Sequence, residues 1–145
     1  MRLDLPPAPK PAGAYRPVQL VGEMAYLSGF GPRDAAGQPL VGTVGLEFDL
    51  AASAAIAREI ALGMLSALQD ALGDLDRIQQ MARVTGMICC VPGFTRHPAV
   101  LDGASMAFID LLGPERGAHA RMAYGVASLP NGSPLAIDAV VQLRG

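Results

Sequence analysis

The predicted fold class is α/β of the α+β kind, one sheet with two helices on a single face, and three observations predict it. The chain has 145 residues, enough for one core that buries about two-thirds of the unfolded surface and too few for two. Two stretches carry apolar residues at helical spacing, and β-type runs flank and separate them. The resulting order, ββ(β)αβαββ, contains strand–helix–strand twice, and crossovers of one hand put both helices on the same side of the sheet.

Taken in order, residues 1–12 read as an irregular, Pro-rich arm, and 13–145 as the single domain. Val18–Val21 and Met24–Phe30, separated at Gly22-Glu23, predict a tight β-hairpin. A loop follows, with room for a short strand over 40–48. Asp49 is a candidate N-cap, and Ile56, Ile60, Met64 and Leu68 then form one apolar stripe of a helix ending near Gly73. Gly63 within it costs about 1 kcal/mol relative to alanine, which predicts close packing on the sheet. Residues 78–91 form an apolar run expected to be a central strand, stopped by Pro92-Gly93. Pro98 suits the first turn of a second helix, capped by His97 and continued by Leu101, Ala104, Phe108 and Leu111 until Gly113-Pro114. Residues 119–127, entered by His119, and 134–143 supply two last strands around Leu129-Pro-Asn-Gly-Ser. The sheet face away from the helices, carrying Met122, Tyr124 and Val126 or the alternating set, is too apolar for water and predicts a ring-like homo-oligomer with sites between subunits.

Composition narrows the function. Apolar residues make up 51% and charged residues 17%, below the roughly 25% charged of an average domain, so a monomer has little polar material to cover it. No window approaches the ~18–20 unbroken apolar residues of a membrane span, and the arm lacks a signal peptide's apolar core; the expectation is a cytoplasmic protein without membrane partners. A net charge of −2 and no basic run argue against nucleic acid. Adjacent Cys89 and Cys90 suit reduced core thiols better than a mutual disulfide. The single lysine, Lys10, lies in the arm, so a buried Schiff-base lysine is not expected. Metal-ligand spacings, phosphate loops and serine-nucleophile elbows are missing from the sequence, and no metal or cofactor is expected.

What remains is one arginine and one carboxylate in otherwise apolar strands, Arg121 and Asp138. Such charges are costly unless paired or used. Alternation puts Arg121, Ala123 and Gly125 on one face, with small neighbours that leave room for a ligand. If the two last strands pair directly around Asn131-Gly132, Asp138 falls opposite Gly125 on the arginine's face, roughly 13 Å from Arg121. On spacing alone, satisfaction by backbone or by a neighbouring subunit is as good a reading as function.

Four segments resemble the Rid family, the YjgF-like reactive intermediate deaminases also called endoribonuclease L-PSP or translation inhibitors. They are Gly13-Ala-Tyr15-Arg-Pro-Val, Val21-Gly-Glu-Met-Ala-Tyr-Leu-Ser28-Gly29, Leu72-Gly-Asp-Leu-Asp-Arg-Ile, and Ala120-Arg121 through Ala127-Ser-Leu-Pro-Asn-Gly to Ile137-Asp138-Ala. The resemblance implies a chorismate-mutase-like fold assembled as a homotrimer with clefts between subunits. It implies cofactor-free hydrolysis of enamines and imines such as 2-aminoacrylate to 2-keto acids and ammonium. Arg121 would grip the substrate carboxylate, and Asp138 would take the place of a glutamate that positions water or moves protons. Tyr15, Ser28, Gly29 and the backbone at Ala123 would line the cleft. The chain departs from the family at Asp138, at Ala123 where cysteine is common, at Phe30 where glutamine commonly follows Ser-Gly, and at Ser105 near a frequent asparagine, which marks a divergent subgroup. The alternatives are a non-catalytic trimeric module that binds small carboxylates, and a ribonuclease or translation-inhibitor role.

Overall fold

The computed structural model describes residues 2–11 and 13–145. Five strands form one sheet in the order β1-β2-β5-β3-β4, from β1 (Val18–Val21), β2 (Met24–Phe30), β3 (Ile78–Cys89), β4 (Ala120–Val126) and β5 (Leu135–Leu143). Helix α1 (Leu50–Leu72) connects β2 to β3, and α2 (His97–Leu112) connects β3 to β4. Only β3 and β4 pair in parallel; the remaining pairs are antiparallel.

Both helices cover one face. Ala25, Leu27 and Phe30 of β2, Val84 and Ile88 of β3, and alternate residues Leu135 to Leu143 of β5 are buried against Ile60, Met64, Leu65, Leu68, Leu101 and Phe108 of the helices. The period-2 alternation of the strands thus meets the apolar stripes of the helices in one core. By length and composition α1 could cross a membrane; here it is a core helix of the domain. Asp49 caps it, its carboxylate accepting from Ala52 N at 2.8 Å, and Gly73 at φ 83° ends it by donating to Gln69 O.

Four expectations are corrected. Residues 40–48 make only isolated bridges, Val44 to Phe48 and to Cys90, because Gly42 and Gly45 take φ of 152° and 91° and break an extended run. Gly63 packs not on the sheet but beneath the N-terminal arm, where an added Cβ would lie 3.7 Å from Pro9. His97 does not cap α2: Arg96 occupies that position without a side-chain bond, and His97 Nε2 instead lies 3.6 Å from Cys90 Sγ. Finally, β4 and β5 do not pair, because the chain leaving β4 passes over β3 and β5 inserts antiparallel between β2 and β3.

The other sheet face is open and carries apolar residues beside Arg83, Thr85 and Asp138. Tyr26, Met122 and Tyr124 are between 43% and 50% exposed there, with Met87, Ala136 and Val140 half-buried among them.

Candidate functional site

The topology separates the two charges. Val84 of β3 is in register with Arg121 on one side and with Ala139 on the other, so Arg121 shares the helix-covered face with Val84. Asp138, paired with Thr85, lies on the open face. One strand stands between theirs, about 10 Å across. The shared face expected from direct pairing of the last two strands is overturned.

Arg121 sits at the β4 edge, over α2. Its Nη1 donates to Asp102 Oδ1 at 2.7 Å and to Ser105 Oγ at 3.1 Å. Ser105 Oγ is also 2.8 Å from His119 Nε2, and His119 Nδ1 is 2.7 Å from Gly117 O. A carbonyl only accepts, so Nδ1 carries the proton and Nε2 accepts from the Ser105 hydroxyl. The serine hydrogen is thereby committed, leaving its lone pairs for Arg121. The chain of donors runs Arg121 to Ser105 to His119 to Gly117. Nε and Nη2 of Arg121 have no protein partner among the described residues, so one edge of the guanidinium is open to a bidentate acceptor. Ala123 lies beyond on the same face, packed on the core.

Burial, and then the charge of Arg121, lower the His119 pKa below its ordinary 6.5, against the backbone bond to Gly117. Folding therefore favours the neutral ring. Its stabilising contribution is full above 6.5 and is lost as pH falls through the lower folded value. The midpoint of urea unfolding is expected to drop between pH 7.5 and pH 5.5, which spans the ordinary histidine value, and to drop less in His119→Gln, which leaves the carboxylates unchanged. Equal drops in both proteins would remove the imidazole from this role.

On the open face, Asp138 is half-buried, and burial raises its pKa above the ordinary 3.8, partly offset by the Thr85 hydrogen bond and the charge of Arg83. Between Leu27 and Phe30 the register of β2 against β5 shifts. This bulge sets Ser28 and Gly29 opposite Asp138. Ser28 Oγ donates to Arg16 O at 2.6 Å, tying β2 to the segment after Tyr15.

The predicted residues thus fall into two groups. Tyr15, Ser28, Gly29 and Phe30 line one cleft of about 140 Å³, with Asp138 on the strand beside it and Phe30 turned largely into the core. Arg121, Ser105 and Ala123 form the other group, at the opposite side of the sheet. From β2 to β4 is three strand spacings, roughly 14 Å. Sequence reasoning missed Asp102 as the arginine's ion-pair partner and His119 as the anchor of Ser105. The only signal for either was a polar residue near the second helix, and sequence distance hid it. Among the described residues no cluster of three His, Cys, Asp or Glu side chains could hold a metal ion.

A family model described as "YjgF/chorismate mutase-like, putative endoribonuclease" matches residues 1–142. The chain is 36% identical over 142 residues to Protein TCP17 of Trypanosoma cruzi, covering 98% of this chain and 89% of that protein. Among solved structures it is similar to the protein Atu1372 of Agrobacterium tumefaciens, of unknown function, at 35% identity and a TM-score of 0.84 over 89% of this chain and 82% of that one. It is also similar to a Shewanella oneidensis protein described as "a putative endoribonuclease", at 30% identity and a TM-score of 0.90 over 97% and 93% of the two chains.

Proposed function

Because this chain belongs to the YjgF/chorismate-mutase-like family, we propose that it hydrolyses small enamines and imines of the 2-aminoacrylate and 2-iminopropionate type to 2-keto acids and ammonium, as a cytoplasmic homotrimer. The observation that carries the reading is the guanidinium of Arg121, held at Nη1 alone, with its other edge available to a carboxylate. Arginine suits this because its planar fork matches a carboxylate's two oxygens.

The homotrimer accounts for the division of the site. If the β4 edge of one copy meets the open face of the next, Arg121 of the first copy comes beside Tyr15, Ser28, Gly29 and Asp138 of the second. The exposed Tyr26, Met122 and Tyr124 supply apolar surface for that contact.

In the reaction, water adds to the imine carbon and the C=N electron pair moves to nitrogen. The carbinolamine then expels ammonia as its hydroxyl becomes the keto group. The Asp138 carboxylate takes a proton from the attacking water and returns it to nitrogen, the hydroxyl proton follows the same route as ammonia leaves, and the ammonia takes one proton from solvent to become ammonium. Burial supports this role, because a raised pKa brings a carboxylate nearer the working pH. A net charge of −2 and the arginine's ion pair with Asp102 favour a small acid over an RNA backbone.

The test is 2-iminopropionate, made in place by an amino-acid oxidase and trapped with semicarbazide, with mass measured by light scattering. Wild-type protein is expected to outpace spontaneous hydrolysis, at three times the 15.0 kDa chain mass. In Asp138→Asn, kcat is expected to fall about 100-fold with little change in KM, and the acid limb of the pH profile to vanish. A wild-type rate equal to background would overturn the reading.

A further inference from the structure

The cleft beside Ser28 and Gly29 has a charge the chain as a whole lacks. Its lining contains two cations, Lys10 and Arg33, and no acidic side chain, in a protein with 13 acids against 11 bases. Around them the walls are apolar, with Pro17, Phe30, Pro130 and Leu135.

Both cations sit on segments that are tied down. Leu3 N donates to Gln69 Oε1 at 2.7 Å, Gln69 Nε2 returns a bond to Leu3 O at 3.0 Å, and Ser66 Oγ donates to Pro6 O at 2.6 Å. These bonds fasten the arm across α1, and the flanking prolines Pro9 and Pro11 stiffen the stretch that carries Lys10. Arg33 donates to two backbone carbonyls, Gly37 O at 3.1 Å and Lys10 O at 3.4 Å. Carbonyls orient the guanidinium without neutralising it. Asp34, the adjacent carboxylate, is committed to its own turn, accepting from Ala36 N and Gln38 N at 2.9 Å. Among the described residues neither cation has a carboxylate partner.

An uncompensated pair of cations in an apolar-walled cleft selects a small anion. On the reading above, which this inference rests on, the α-carboxylate is already provided for by Arg121 of an adjoining copy, while Tyr15, Ser28 and Gly29 border the reacting centre. The second anionic group must then belong to the substrate's side chain. We propose that Lys10 and Arg33 receive the distal carboxylate of the substrate, so that the imines handled are those of short dicarboxylic amino acids. The cleft volume of about 140 Å³ has room for one short carboxylate-bearing side chain.

The test compares 2-oxoglutarate with 2-oxobutyrate as ligands of the full-length protein by titration calorimetry, alongside hydrolysis of the corresponding imines. The diacid is expected to bind at least roughly tenfold tighter at low salt, with the preference shrinking as salt screens the cations. Lys10→Glu and Arg33→Gln, the second retaining donors for Gly37 and Lys10, are expected to bring the ratio of the two affinities close to one. Circular dichroism identifies any variant that has lost its fold. Equal affinities, or a preference that survives both substitutions in folded protein, would overturn the inference. Hydrolysis of 2-iminobutyrate with no diacid preference would remove this inference alone. Diacid binding that depends on Lys10 and Arg33 without hydrolysis of any imine would remove the catalytic reading and leave the anion site.

Discussion

Arg121→Ala is expected to lower kcat/KM for an imino acid by two to three orders of magnitude while leaving the fold nearly as stable as before. The two effects separate because the side chain's partners differ in exposure. Removing one member of a desolvated, hydrogen-bonded charge pair costs about 2–5 kcal/mol, and the substrate carboxylate would meet Nε and Nη2 inside an intersubunit cleft. Asp102, by contrast, has a side chain 64% exposed. Deprived of Arg121, whose own side chain is 23% exposed, it returns to water, and a pair with one partner so exposed contributes about 1 kcal/mol to stability. Arg121→Lys restores charge but not the planar fork, so KM is expected to recover only in part. Steady-state kinetics with urea unfolding on the same preparations separates the cases. An alanine variant within about threefold of wild-type kcat/KM would mean that the substrate carboxylate is held elsewhere, since one lost bidentate contact exceeds that ratio.

The locally encoded parts of this architecture are the ones the sequence displays. Asp49 caps α1 and Gly73 ends it because a cap and a left-handed terminus depend on neighbours a few residues away. The hairpin at Gly22-Glu23 and the alternation along β5 are local in the same sense. Strand pairing is not. Nothing between Val126 and Leu135 says that the next strand crosses over β3 to pair with β2, and that one choice turns Asp138 to the face opposite Arg121. The arginine's own surroundings are hidden for the same reason. Asp102 and Ser105 reach it only because α2 packs along β4, and His119 joins them by filling space against Phe108, ring edge to ring face at 5.9 Å between centroids. The resemblance to a family could point to Arg121 and Ser105 as neighbours of one ligand, but the hydroxyl's direction follows from a tautomer that only the bond to Gly117 fixes.

The packing that brings α2 to Arg121 makes the second large effect a stability effect, in Gly103→Ala. Gly103 stands between Asp102 and Ser105 on α2, where the helix crosses α1. A Cβ there would lie 1.9 Å from Ala54 O and 2.8 Å from Ala54 C. These are backbone atoms of a 23-residue helix, so no side chain can turn aside and the helices must part by more than 1 Å. Alanine gains about 1 kcal/mol of helix propensity over glycine. Overpacking a core commonly costs about 1–3 kcal/mol and exceeds that where backbone is forced to move, so a net loss of about 2–4 kcal/mol is expected. Gly63→Ala is the matched control. It is also a glycine inside a helix, but its Cβ would meet only Pro9 at 3.7 Å, and it should stabilise by about 0.5–1 kcal/mol from propensity alone. Urea midpoints of the two variants should therefore move in opposite directions. Function discriminates further: lifting α2 displaces Asp102 and Ser105 together, so the folded fraction of Gly103→Ala should show a raised KM while Gly63→Ala keeps the wild-type value. Equal stability of the two variants would mean that α1 and α2 have slack at their crossing, and the rigid seat assigned to Arg121 would lose its support.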